Sequence, residues 1–281
     1  MRNWKHVWIC AATLACALTA QDGAPSTESA AQPAIKRPML SEASRTALAA
    51  ARADAMKVRG LEGDAQAAAL DAAAKSYDRA ATEIVAEPKA AAQAAFSAAE
   101  LWRRHGSVEK AERCYMTAAQ LDAERYAQRG KLGAADMQRR AEKHEMALAT
   151  YRDAAAVDPT TARAQTARVW VGRVLQSMGR DVDAVVALRA AVATATTPSQ
   201  TIEAINFLAG ALVAGGDLEA AARALAQADA AVSTAIVEQP EESERLHKAL
   251  ESMTARRALQ RAQDKSTDAA VDAQKLEEQR G

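Results

Sequence analysis

Five times along the chain a tyrosine or leucine recurs at a nearly constant interval inside the same frame of small residues. Tyr77, Tyr115, Tyr151, Leu188 and Leu225 are 38, 36, 37 and 37 residues apart. Each is preceded four residues earlier by alanine (Ala73, Ala111, Ala147, Ala184, Ala221) and followed three residues later by another (Ala80, Ala118, Ala154, Ala191, Ala228). A fixed internal pattern at this period is the signature of stacked helical hairpins, in which each unit buries its apolar stripe against the next. The reading is therefore all-α: a right-handed α-solenoid of about five hairpins.

Composition fits that architecture better than a single globular core. About a quarter of the residues are alanine and only 4 % are aromatic. Alanine favours helix but offers little apolar area to bury. Closely approaching helices, each needing a few large side chains, suit such material. A coiled coil would require sustained heptads, whereas here small and large residues are phased to a hairpin with glycines at the turns.

The N-terminus reads as an export signal over residues 1–20. Arg2 and Lys5 precede a mostly apolar run from Val7 to Leu18. That run is shorter than the ~20 residues needed to cross a bilayer. Ala15-Cys16-Ala17 supplies an A-x-A cleavage pattern, and a cut after Ala20 fits as well. Thr13-Leu14-Ala15-Cys16 also resembles the bacterial lipobox, with Thr13 where that pattern prefers Leu. Two fates stand side by side, ordinary cleavage or acylation of Cys16. Residues 21–40, small and polar with Pro25, Pro33 and Pro38, read as a flexible linker. The expected site is the periplasm or outer membrane of a bacterium, with membrane contact only through a lipid anchor.

From residue 41 nearly everything reads as helix. Residues 41–90 form an irregular first hairpin and 91–238 the regular repeats. After Pro240 the charge rises, and 239–264 reads as a capping helix carrying Leu246, Leu250, Met253 and Leu259. Residues 265–281 are a polar tail expected to be disordered or a frayed helix.

In the last unit, Ile205, Leu208, Ala209 and Leu212 share one helix face, Gly216 and Asp217 form a turn, and Ala221, Leu225 and Ala228 follow. The unit before repeats this with Val171, Gly172, Leu175, Gly179, Asp181, Ala184, Leu188 and Ala191. This pattern resembles the tetratricopeptide repeat, well over residues 92–235 and loosely over 41–90. Lys131, Gln138 and Arg168 depart from its large apolar positions, and the period exceeds the family's usual length of about 34. The resemblance implies a protein-interaction scaffold whose first helices line a concave face that takes a protein or peptide. It places Phe96, Arg103, Leu132, Arg139, Val169, Arg173 and Asn206 on that face. Arg103, Arg139 and Arg173 come from successive units. They read either as a ladder for carboxylates, which a guanidinium grips bidentately, or as surface arginines answered by local acids such as Glu100 and Asp136.

Other classes find little support. With 36 basic and 36 acidic side chains the net charge is zero, which removes the electrostatic case for nucleic acid. His105, His144 and His247 are not paired at a metal-binding spacing, and no Cys-x-x-Cys, phosphate loop, dinucleotide fingerprint or nucleophile elbow occurs. No enzyme, metal or cofactor is expected. Cys114 reads as a packing residue. The rival is structural, a helical rod that oligomerises through its C-terminal helix without a client; the oligomeric state itself is not readable.

Overall fold

The computed structural model describes residues 40–278. The signal, the linker up to residue 39 and the Cys16 lipidation site lie outside them. Among the described residues there are twelve α-helices, one 3-10 turn and no strand.

The first hairpin pairs α1 (Glu42–Met56) with α2 (Gly63–Glu83). Ser41 caps α1, its hydroxyl accepting from the Ser44 amide at 3.1 Å. Four regular hairpins follow: α3 (Pro88–His105) with α4 (Val108–Leu121), α5 (Ala123–Arg140) with α6 (His144–Val157), α7 (Ala162–Ser177) with α8 (Asp181–Ala193), and α9 (Pro198–Ala214) with α10 (Leu218–Glu238).

All four turns close in one way. The amides of Ser107, Lys143, Arg180 and Asp217 donate back to the carbonyls of Trp102, Gln138, Leu175 and Leu212, at 3.0, 2.9, 2.9 and 2.9 Å. This six-to-one bond needs a left-handed residue just before its donor. Gly106, Gly179 and Gly216 supply it with φ of 88°, 71° and 81°, and in the second unit Glu142 does so at φ 59°.

From α1 to α10 each helix packs on its chain neighbours, and the odd helices α3, α5, α7 and α9 also touch one another in series. No comparable packing links α4, α6, α8 and α10 to one another, so the odd helices form the tighter, inner layer. Between the layers run four buried clusters, built around Ala73–Trp102–Tyr115, Ala91–Tyr126, Leu148–Tyr151–Val174 and Leu188–Ile205–Leu225. The recurrent tyrosines and leucines of repeats two to five are 0–5 % exposed and their flanking alanines are buried.

Two glutamines clip the two helices of their own hairpins. Gln128 on α5 donates to the carbonyls of Ala154 (3.3 Å) and Asp158 (3.0 Å) and accepts from Thr161. Gln165, at the same repeat position on α7, donates to Ala191 O at 2.7 Å and accepts from Thr194. Each reaches from an inner helix to the C-terminal end of the next outer helix.

The C-terminal segment differs from a single capping helix. Pro240–Glu242 make a 3-10 turn, then come α11 (Ser243–Glu251) and α12 (Thr254–Glu278). Leu246, Met253, Ala255 and Leu259 seal the last core cluster, and α12 lies on α9 and α10. The polar tail is helical to Glu278, because Ala and charged residues of good helix propensity extend α12 past its last buried residue.

A candidate partner-binding groove on the inner helices

Four residues occupy one repeat position on the inner layer, 37 apart: Phe96, Gly133, Trp170 and Phe207. All four are half-buried. An aromatic stands in three units and nothing in the second. A cleft of about 330 Å³ opens there, walled by Phe96 and Trp170 with Gly133, Tyr115 and Tyr151 at its base. Tyr115 approaches so closely that a Cβ on Gly133 would lie 2.8 Å from its ring, so this unit has no room for a side chain of its own. Leu132 and Thr166 complete the apolar lining.

The rings are held in place from behind. Phe96 meets Tyr115 edge-on, centroids 5.4 Å apart, and Tyr126 at 5.1 Å. Trp170 stacks on Tyr151 at 6.0 Å and 7° between planes. Burial drives the Tyr151 phenol up to about 12, with Asp136 adding to the rise. The Arg139 guanidinium beside it works against the rise; the phenol is thus a neutral donor at ordinary pH, and its hydrogen meets no acceptor among the described residues. Tyr115 is shifted up as well, by burial and by donating to Glu100 at 2.5 Å.

Charge on this face divides into two sets. Glu100 takes Arg103 at 2.8 Å, and Asp136 takes Arg139 at 2.6 Å and Arg140 at 3.0 Å. Both acids are committed, and the Glu100 contact raises the pKa of Arg103. Burial opposes the charge of Arg139, but Asp136 outweighs it. Arg129, Arg163 and Arg173, in contrast, have no ion pair to a carboxylate among the described residues. Arg129 lies over Phe96 at 4.6 Å. Arg173 lies over Trp170 at 3.7 Å and over Phe207 at 4.3 Å, filling the space between two aromatics. Burial, and then repulsion from Arg139, lower its pKa.

Phe96, Arg103 and Leu132 therefore line the cleft, while Arg139 and Arg173 flank it over Trp170. The three-arginine ladder does not hold as a set, since Arg103 and Arg139 are answered by acids three residues earlier on their own helices. Val169 is only 1 % exposed and belongs to the core: it holds the same repeat position as Leu132 but is covered by the cluster built from α8 to α10. Asn206 is occupied: its Oδ1 accepts from the Ala255 amide at 3.0 Å and from Thr254, capping α12. Sequence reasoning did not name Trp170, Arg163 or the empty place at Gly133. The one available signal was the 37-residue column of rings with a single gap.

Elsewhere, no group of three or more His, Cys, Asp or Glu that could hold a metal occurs among the described residues. His105 pairs with Ser107 at 2.9 Å and His247 with the Ser243 carbonyl at 2.9 Å, both local contacts. No described helix is long and apolar enough to cross a membrane.

No family model matches the sequence, and no curated protein matches it either. Solved structures do resemble it. MamA protein aligns with a TM-score of 0.52 at 14 % identity, over 73 % of this chain and 96 % of that one. A putative kinesin light chain from Podosopora anserina with nearly identical TPR-like repeats aligns with a TM-score of 0.51 at 15 % identity, over 71 % and 99 %. At such identities the likeness is one of fold, and the fold is that of tetratricopeptide-like repeats.

Proposed function

We propose that this chain is a non-enzymatic protein-interaction scaffold that docks a protein segment along α3, α5 and α7. Stacked hairpins of this kind present an extended inner surface suited to such docking. The observation that carries the reading is the cleft at Gly133, where aromatic rings and uncompensated guanidiniums face outward together. Cores satisfy their charges, whereas exposed aromatics and arginines are what interfaces use as anchors.

The test is photocrosslinking in the native cell, with the crosslinker placed at Leu132 or Thr166 in the groove and at Val182 or Val186 on α8. Valines 182 and 186 are 80 % and 62 % exposed and serve as the outer-face control. A discrete adduct from the groove positions alone is expected. Adducts only from α8 would overturn the reading.

The scaffold is proposed to work in a bacterial envelope, exported by the segment at residues 1–20 and, if acylated, held at the membrane through Cys16. Fractionation and radiolabelled palmitate test this: label lost in Cys16→Ser supports the anchor, and an unlabelled, soluble periplasmic protein rejects it. A second reading has one observation in its favour. Residues 263–271 of α12 are exposed, which leaves a helix free to pair in an oligomeric rod. Light scattering separates the two: the scaffold is expected to scatter as a monomer, and a concentration-independent oligomer abolished by removing residues 264–281 would favour the rod.

A further inference from the structure

We propose that the place left empty at Gly133 is a side-chain pocket for an aromatic residue of the partner, with an acidic residue beside it held by Arg129 and Arg163. The inference rests on the docking reading above and names what the groove selects.

The repeat itself is the template. At this position Phe96, Trp170 and Phe207 each put a ring on the inner face, and α5 puts hydrogen there. The gap cannot be filled from within, because Tyr115 occupies the room a Cβ would need. Between Trp170 and Phe207, where no ring is missing, the chain inserts its own Arg173. Between Phe96 and Trp170 no single side chain bridges the two rings: Arg129 lies over Phe96 and Arg139 over Trp170, and the cleft stays open between them. A ring from outside would meet Phe96 on one side and Trp170 on the other, with Tyr115 and Tyr151 beneath, in the offset or edge-on contacts that aromatics prefer. The volume of about 330 Å³ lies at the small end of the roughly 300–1,000 Å³ range of ligand pockets, a size suited to one or two side chains.

Charge decides what stands next to the ring. The cleft's own acids, Glu100 and Asp136, are already paired, whereas Arg129 and Arg163 on its rim are not. A basic neighbour would face two uncompensated guanidiniums; an acidic one would neutralise them with charge-assisted bonds. The Tyr151 hydroxyl, on a residue 1 % exposed, lies beside the Arg139 guanidinium, which can only donate to it, so its own hydrogen still calls for an acceptor at the base. The occupant is thus an extended segment with an aromatic residue and an internal Asp or Glu adjacent to it.

The experiment selects binders from a random twelve-residue peptide library displayed with blocked C-termini, against the full chain. Selected sequences are then synthesised as C-terminal amides carrying a photocrosslinker. Enrichment of an aromatic–acidic pair is expected. Replacing the aromatic by Ala, or Glu by Gln, should each weaken binding about tenfold or more. Arg129→Gln and Arg163→Gln should remove the preference for Glu over Gln while sparing that for the ring, and Tyr151→Phe should weaken binding several-fold with the fold intact. Peptides that crosslink to the groove but lack the pair, or whose affinity ignores Arg129→Gln and Arg163→Gln, overturn this inference and leave the docking reading standing. Binding that requires a free C-terminal carboxylate also overturns it. Peptides that crosslink only to α8, or an empty selection, count against both.

Discussion

At the scale of single residues, two helical glycines separate conformational preference from packing. Adding a methyl to a helix interior gains about 1 kcal/mol in propensity. At Gly172 that methyl would sit 2.4 Å from Leu188 Cγ, and Leu188 is fully buried with nowhere to go. Overpacking of this sort costs about 1–3 kcal/mol, so Gly172→Ala is expected to destabilise. At Gly210 nothing lies within 4 Å, and Gly210→Ala should stabilise by about 0.5–1 kcal/mol. Urea titration of the two variants checks both signs. Cys114 offers another test. Burial, then Asp78, push its thiol from 9.0 to about 12. The folded state therefore favours the protonated thiol, a contribution complete below about pH 9 and lost as the pH climbs towards 12. In a chain with Cys10 and Cys16 replaced by Ser, Cys114 should resist a thiol reagent at pH 8 until denaturant is added. Rapid native labelling would show that this packing is wrong.

Elements are joined by features of unequal visibility. The turn glycines were legible because three of the four units carry them in phase, and Schellman closure follows from that spacing. The second unit uses Glu142 at φ 59° instead, a left-handed conformation that costs a non-glycine residue about 1–2 kcal/mol. Glu142→Gly is expected to raise stability by about 0.5–1 kcal/mol, with part of the relief offset by backbone entropy. The glutamine clip was not legible: Gln128 and Gln165 look like surface residues until the second helix of their own hairpin folds back and brings its C-terminal carbonyls to them. Gln165→Leu removes bonds to Ala191 O and Thr194 and should cost about 1–2 kcal/mol, read as a lower denaturation midpoint. Val169 and Asn206 were misplaced for a related reason. Inner-helix register assigns a face, but whether that face meets solvent, core or the cap depends on helices far along the chain. The cleft was partly legible, since Phe96 and Leu132 line it, while the gap at Gly133 needed the four equivalent positions to be aligned.

On the scale of the whole array, each hairpin owes its stability to its neighbours, so the end is as informative as the middle. The last cluster shares Leu208, Leu225 and Val232 with Leu246, Met253 and Leu259 of the C-terminal segment. Ending the chain at residue 238 would expose that surface, and hydrogen exchange in α9 and α10 should then accelerate well ahead of α3 to α5. Uniform acceleration would instead imply a single cooperative core. The central claim concerns the inner face. Its most direct test is a crystal structure of the full chain with a peptide from the selection. The account predicts an extended peptide across α3, α5 and α7, its ring between Phe96 and Trp170 and its carboxylate on Arg129 or Arg163. A peptide seated on the outer helices, with the place at Gly133 still open, would contradict it.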